Sequence, residues 1–151
     1  VFVAWTVAAF LMLRDVPVRA GAAGLALGLG GGIAAILAAS ASFGQYGMSL
    51  GAACGGFLFL QMIRGRTVTA GATLTLATGA TLGLIACGAM TLAELPWFAL
   101  PALALVPLAA MIPLPRGLPV WGESILASLL AGIPALAACY LVWQSSRGTP
   151  G

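Results

Sequence analysis

Side chains that could carry out chemistry are few in this sequence, and they are widely separated. It holds three cysteines, three carboxylates and six arginines, but no histidine, lysine or asparagine. Without histidine the chain lacks the usual protein ligand of haem and of many zinc and copper sites, and it lacks the commonest general base. A serine or cysteine nucleophile would have no histidine or lysine to activate it. We therefore predict that the protein is not an enzyme and has no catalytic residues, no metal site and no cofactor.

The carboxylates lie at the edges of apolar runs. Asp15 adjoins Arg14, Glu94 ends one run and Glu123 opens another, so none is placed as a proton relay at the centre of a membrane. We interpret Glu123 as a counter-ion of Arg116 or as a favourable charge at a helix N-terminus. The functional alternative is that Arg116 and Glu123 form a docking contact for a partner subunit. The cysteines lie singly inside apolar runs, as buried packing residues do, and are Cys54, Cys87 and Cys139.

The elements that position these residues are long apolar segments. Only 6% of the residues are charged, against about a quarter in an average soluble domain. The runs are continuously apolar and do not alternate as barrel strands do, which favours helices. We predict one integral membrane domain, 1–151, an all-α polytopic bundle of about six transmembrane helices with very short loops. The predicted spans are about 1–13, 20–40, 45–63, 68–93, 96–114 and 121–143.

Two of these boundaries need comment. The apolar interval 20–63 is long enough for two spans, and the segment 40–47 gathers turn-forming residues, so we place a tight hairpin there. The span 1–13 reaches only about 20 Å, less than the roughly 30 Å of hydrocarbon. Either residues precede Val1, or a GTG start is read literally, or the helix continues towards Pro17; we favour the first two. A cleavable signal peptide is disfavoured because a basic n-region and an A-x-A site are lacking.

The arginines give the orientation. Five of the six lie in the first, third and fifth loops, and they are Arg14, Arg19, Arg64, Arg66 and Arg116. Because cytoplasmic loops are enriched in arginine, we predict that these loops are cytoplasmic and that both termini lie outside. A chain rich in Ala, Gly, Pro and Arg without Lys or Asn is typical of a GC-rich genome. We therefore expect the cytoplasmic (inner) membrane of a bacterium.

Small residues recur at every fourth position of several spans. Such a glycine zipper lets helix backbones approach closely, and we predict that it packs the helices. The predicted packing residues are Gly24, Gly28 and Gly32 in the second span, Gly47, Gly51 and Gly55 in the third, and Gly71, Thr75, Gly79 and Gly83 in the fourth. In the last span Ala127, Ala131 and Ala135 repeat the spacing. The alternative, a ring or pore of identical chains, would need a carboxylate at mid-membrane.

Polar and proline residues within the spans permit two interpretations. Pro101 and Pro107 predict a kinked or broken fifth span, which in a transporter could build a substrate site but is also tolerated structurally. Thr75 and Thr78 lie on a weakly polar face that favours contact between helices over a solute path. Gln61 lies within one turn of Arg64, where we expect interfacial water to satisfy its amide.

These features together predict a noncatalytic accessory or structural subunit of a larger bacterial membrane complex. Its partners would be other integral membrane subunits and lipids, and contact with lipid or pigment is the only small-molecule contact expected, with no soluble substrate. We predict no nucleic-acid binding, because the net charge of +3 comes from scattered arginines. The alternative is a small transporter or channel built as an inverted repeat of three and three helices.

Overall fold

The computed structural model of the chain describes residues 1–38, 40–69, 71–92, 96–115 and 117–148. All regular secondary structure in these ranges is α-helical, which confirms the predicted class. The six helices are α1 (Phe2–Met12), α2 (Pro17–Leu37), α3 (Ala41–Arg64), α4 (Gly71–Leu92), α5 (Ala99–Met111) and α6 (Val120–Gly148).

Four of the helices are long and apolar enough to cross a membrane, namely α2, α3, α4 and α6. The other two are shorter: α1 has 11 residues and α5 has 13. At 1.5 Å per residue these reach about 16 and 20 Å, less than the roughly 30 Å of a bilayer core. The structure is therefore that of a membrane protein with four candidate spanning helices, whereas six full spans were predicted.

Helix α2 lies at the centre of the bundle. It packs between α3 and α6 and also contacts α4 and α5, while α1 packs mainly on α4. In the apolar stretch that makes each helix a candidate span, 67% of the residues are buried for α2, against 28% for α3 and for α6. The core is made largely of alanine, including Ala22, Ala23, Ala34 and Ala131 at 0% exposure. Small side chains in the core bring the helix axes close together.

The turn between α2 and α3 is shorter than predicted and lies earlier in the chain. Helix α2 ends at Leu37 and α3 already begins at Ala41, so most of the segment 40–47 is helical. The glycines that indicated a turn are packing residues instead. A Cβ atom on Gly47 would lie 2.9 Å from the Cα of Gly32 in the preceding helix. Glycine in this segment therefore permits close helix contact.

Helix α5 is unbroken at Pro101 because it begins only at Ala99. A proline in the first turn of a helix removes an N–H that would have no partner there. Only Pro107 lies farther inside the helix. The helix ends at Met111, and Ile112 has an extended ψ of 125°, as expected for a residue before a proline. The predicted span 96–114 is thus a single short helix bounded by prolines.

Candidate functional site

Four predicted glycines, Gly28, Gly32, Gly47 and Gly51, meet backbone atoms at the contact between α2 and α3. A Cβ atom on Gly28 would lie 2.5 Å from the Cα of Gly51 and 2.9 Å from the carbonyl oxygen of Gly47. One on Gly32 would lie 2.9 Å from the backbone nitrogen of Met48. These distances are shorter than the roughly 3.5–4.0 Å of an ordinary carbon contact. The two backbones touch here, and no residue larger than glycine fits without a shift.

The ends of this interface contain side chains. A Cβ atom on Gly24 would lie 2.5 Å from the Sγ of Cys54, and one on Gly55 would lie 3.0 Å from the Cδ1 of Leu25. All six glycines predicted in the second and third spans therefore lie where α2 and α3 approach each other. At Gly55 the neighbour is the tip of a flexible leucine, so that position is less tightly constrained.

The predicted residues of α4 divide between two environments. Gly79 and Gly83 lie against α1, and a Cβ atom on Gly83 would lie 2.6 Å from the hydroxyl oxygen of Thr6. The Thr6 hydroxyl is fully buried, and its oxygen lies 2.9 Å from the carbonyl oxygen of Val3 in its own helix and 3.2 Å from that of Gly79, so either carbonyl can accept its proton. Thr75 is also buried and donates to the carbonyl of Gly71 at 3.1 Å. The buried hydroxyls of Thr6 on α1 and Thr75 on α4 thus bond to backbone carbonyls, which suits a helix contact.

Gly71 does not belong to the packed face. It is the first residue of α4, its φ is +65°, and a Cβ atom there would meet nothing within 4 Å among the described residues. The left-handed φ is the feature that favours glycine at this position. Gly71 fits the four-residue spacing of Thr75, Gly79 and Gly83, but it marks the start of the helix and not a packed contact.

The alanine face of α6 contacts a glycine of α2 that we did not predict. Ala127, Ala131 and Ala135 are all buried. A Cβ atom on Gly30 would lie 2.6 Å from the Cβ of Ala135. Gly30 lies two residues from Gly28, so the two glycines face different sides of the helix. Helix α2 therefore packs through glycine on α3 and on α6. The run of glycines from 30 to 32 was the signal that could have indicated a second packed face.

Glu123 pairs with a residue that the sequence did not indicate. Its Oε1 lies 3.5 Å from the Nε of Arg19, and the two side chains are 25% and 18% exposed. Arg116, the predicted counter-ion, lies outside the described residues. Arg19 is in the first turn of α2 and Glu123 in the first turn of α6, so the pair joins two helices that run in the same direction. A carboxylate at a helix N-terminus is also stabilised by the helix dipole.

Gln61 contradicts its predicted environment. It is 1% exposed, and neither its Nε2 nor its Oε1 has a hydrogen-bond partner among the residues that the structure describes. The reason is its position on α3: Cys54, Leu58 and Gln61 follow each other at spacings of four and three on the buried face. Arg64 is only three residues from Gln61, but it lies on a different face of α3, and that face is exposed. Gln61 is thus a buried amide and not an interfacial one.

The exposed faces of α3 and α6 differ in residue size. From Gln45 to Gly56 the outer face of α3 is formed by exposed small or polar residues at spacings of four, three and four, and they are Gln45, Ser49, Ala52 and Gly56. Nearer the end of the helix the same side carries the exposed large residues Phe59, Leu60 and Ile63. The corresponding outer face of α6 is formed by large side chains that are 46–70% exposed, and they are Ile125, Leu129, Ile133, Leu136 and Tyr140. Of these two outer faces, the segment of α3 from Gln45 to Gly56 is therefore the one that could let another helix backbone approach closely.

Comparison with known proteins identifies no relative: no protein-family model, no curated protein and no solved structure matches the chain. Within the described ranges no group of three or more His, Cys, Asp or Glu side chains could hold a metal ion. The sites on which a functional argument can rest are therefore the packed glycine interfaces, the ion pair and the outer face of α3.

Proposed function

We propose that the chain is a noncatalytic accessory subunit of a larger integral membrane complex and that it docks against a partner helix through the outer face of α3. The observation that carries this proposal is the contrast between Gln45, Ser49, Ala52 and Gly56 on α3 and the large aliphatic residues on α6. Lipid chains are contacted well by leucine and isoleucine. Small residues help only where another backbone lies close enough to gain dispersion contacts.

Polar atoms on this face support the same proposal. Gln45 and Ser49 are exposed on a helix that is otherwise apolar enough to span a membrane. In hydrocarbon an unpaired amide or hydroxyl is unfavourable, and a neighbouring helix can supply its hydrogen-bond partner. The inner face of α3 already packs by glycine on α2. A second small-residue face on the same helix is consistent with α3 lying between two helices in the assembled complex.

The proposed setting is the cytoplasmic membrane of a bacterium, with the arginine-bearing first and third loops on the cytoplasmic side. The alternative, a transporter built from two inverted halves, gains no support from the helix lengths. In such a repeat α2 would correspond to α5, but these helices have 21 and 13 residues.

The test is purification of the tagged full chain from its native membrane in a mild detergent. Gly56→Leu fills the outer face of α3, and a Cβ atom at Gly56 meets nothing within 4 Å, so the chain's own packing is spared. Gly132→Leu on α6 is the matched control, because a Cβ atom there also meets nothing. We expect stoichiometric companions with wild type and Gly132→Leu, and their loss with Gly56→Leu. Companions retained by Gly56→Leu would contradict the docking face, and a lone chain that moves solute in liposomes would contradict the accessory role.

A further inference from the structure

Two arginines at one end of the bundle, Arg64 and Arg66, form no ion pair with any carboxylate in the described part of the chain. The sequence contains only three carboxylate side chains. Asp15 lies 3.4 Å from Arg14, and Glu123 lies 3.5 Å from Arg19. Arg64 and Arg66 lie at the same end as these pairs, because α3 ends at Arg64 where the antiparallel α2 begins. Both are exposed.

The third carboxylate, Glu94, lies outside the described residues. Within the described ranges the two other carboxylates pair with Arg14 and Arg19, and neither Arg64 nor Arg66 forms an ion pair. The positive charge of Arg64 and Arg66 is therefore available to a negatively charged group outside the chain.

The residues before Arg64 place this charge at a membrane boundary. Phe59, Leu60 and Ile63 are 62%, 55% and 67% exposed in the last turns of α3. Helix α3 then stops at Gly65, which has a left-handed φ of 59°. An exposed apolar turn followed directly by two exposed guanidinium groups matches the order of chain and headgroup in a phospholipid.

We propose that Arg64 and Arg66 bind the phosphate of an anionic phospholipid whose acyl chains lie along Phe59, Leu60 and Ile63. Guanidinium is suited to this role because its planar N–H groups form paired, charge-assisted hydrogen bonds with phosphate oxygens. A net negative headgroup is favoured over a zwitterionic one because the carboxylates described at this end of the bundle are paired with Arg14 and Arg19, which leaves them less able to bind a choline or an ammonium group. Phe59, Leu60 and Ile63 continue the exposed side of α3 beyond Gly56, so this lipid would lie next to a helix docked on the segment from Gln45 to Gly56.

The experiment measures lipid preference of the full chain reconstituted in phosphatidylcholine vesicles. Trace spin-labelled phosphatidylglycerol and phosphatidylcholine report the relative association of each lipid with the protein. The test variant is R64Q/R66Q, and R64K/R66K keeps the charge. R14Q is the matched control, because Arg14 lies at the same end but is paired with Asp15. An arginine near an anionic surface contributes about 1 kcal/mol, so we expect about a fivefold loss of preference for each unpaired arginine removed.

Support for the proposal is a preference for phosphatidylglycerol in wild type, R64K/R66K and R14Q that is lost in R64Q/R66Q. The same preference in wild type and R64Q/R66Q would overturn it. An equal loss in R14Q would also overturn it, since the effect would then come from the whole charged end. If R64Q/R66Q instead released a protein companion from native membranes and left lipid preference unchanged, the ligand would be an acidic partner protein and not a lipid.

Discussion

Substituting Gly28 by alanine tests whether backbone contact between α2 and α3 holds the bundle together. The new Cβ atom would lie 2.5 Å from the Cα of Gly51 and 2.6 Å from its nitrogen. An ordinary carbon contact is about 3.5–4.0 Å, so the shortfall is about 1 Å or more. Both neighbouring atoms are backbone and cannot rotate away. The two helices would have to separate, and overpacking of this kind costs about 1–3 kcal/mol.

The control is Gly31→Ala on the same helix. A Cβ atom at Gly31 meets nothing within 4 Å. Both substitutions bring the same gain in helix propensity, about 1 kcal/mol, so this gain cancels when the two variants are compared. The difference in unfolding free energy between them isolates the contact. We expect Gly28→Ala to be less stable than Gly31→Ala by about 1–3 kcal/mol.

The assay is unfolding of the purified chain in a nonionic detergent titrated with sodium dodecyl sulfate, followed by the fluorescence of its four tryptophans. A second measurement uses Gly51→Ala, whose Cβ atom would lie 2.8 Å from the nitrogen of Leu29. Combined with Gly28→Ala it should destabilise by less than the sum, because the first methyl already separates the helices. Superimposable curves for Gly28→Ala and Gly31→Ala would refute the reasoning.

Three further predictions concern other contacts and use the same unfolding assay. Gly83→Ala should destabilise the chain by about 1–3 kcal/mol, because the hydroxyl of Thr6 lies 2.6 Å from the new Cβ position. The control is Gly132→Ala, whose new Cβ atom meets nothing within 4 Å. Equal stability of the two variants would contradict the contact. Gln61→Met should stabilise the chain by about 1–3 kcal/mol, because it removes a buried amide whose two polar atoms have no hydrogen-bond partner among the described residues. A destabilised variant would show that the amide is hydrogen-bonded in the protein. A double-mutant cycle of Arg19→Gln and Glu123→Gln should give a coupling energy of about 1 kcal/mol. The expected energy is this small because both side chains are partly exposed to solvent. A coupling energy of zero would mean that the ion pair does not stabilise the contact of α2 with α6.

The contact between α2 and α3 could be anticipated because its determinants are local. Two helices joined by a short turn run antiparallel, and a small residue at every fourth position marks one line along each of them. Gly28 and Gly51 were therefore both predicted to lie on packed faces, although only the structure brings them opposite each other. The predicted position of the turn was wrong because glycine is typical both of turns and of close helix packing. Gly44 and Gly47 are glycines of close packing, since each lies against α2.

Contacts between distant parts of the chain could not be predicted in the same way. The pair of Arg19 and Glu123 depends on α2 and α6 being parallel neighbours, and the sequence carries no mark of that adjacency. Gly30 was overlooked for the same reason, since its role appears only when α6 covers a second face of α2. The helix that packs on most sides is the one whose glycines are least well described by a single four-residue repeat.

Gln61 shows why distance along a helix is a poor guide to burial. Arg64 is three residues later, which is about 4.5 Å along the axis, but it is rotated by about 60° from Gln61. That rotation places one residue on the face packed inside the bundle and the other on an exposed face. Position along the axis sets the depth of a residue in the membrane, whereas the helical angle decides whether water can reach it. A polar residue near a helix end is therefore hydrated only if its face is also unpacked, and on α3 the packed face continues from Gly44 to Gln61.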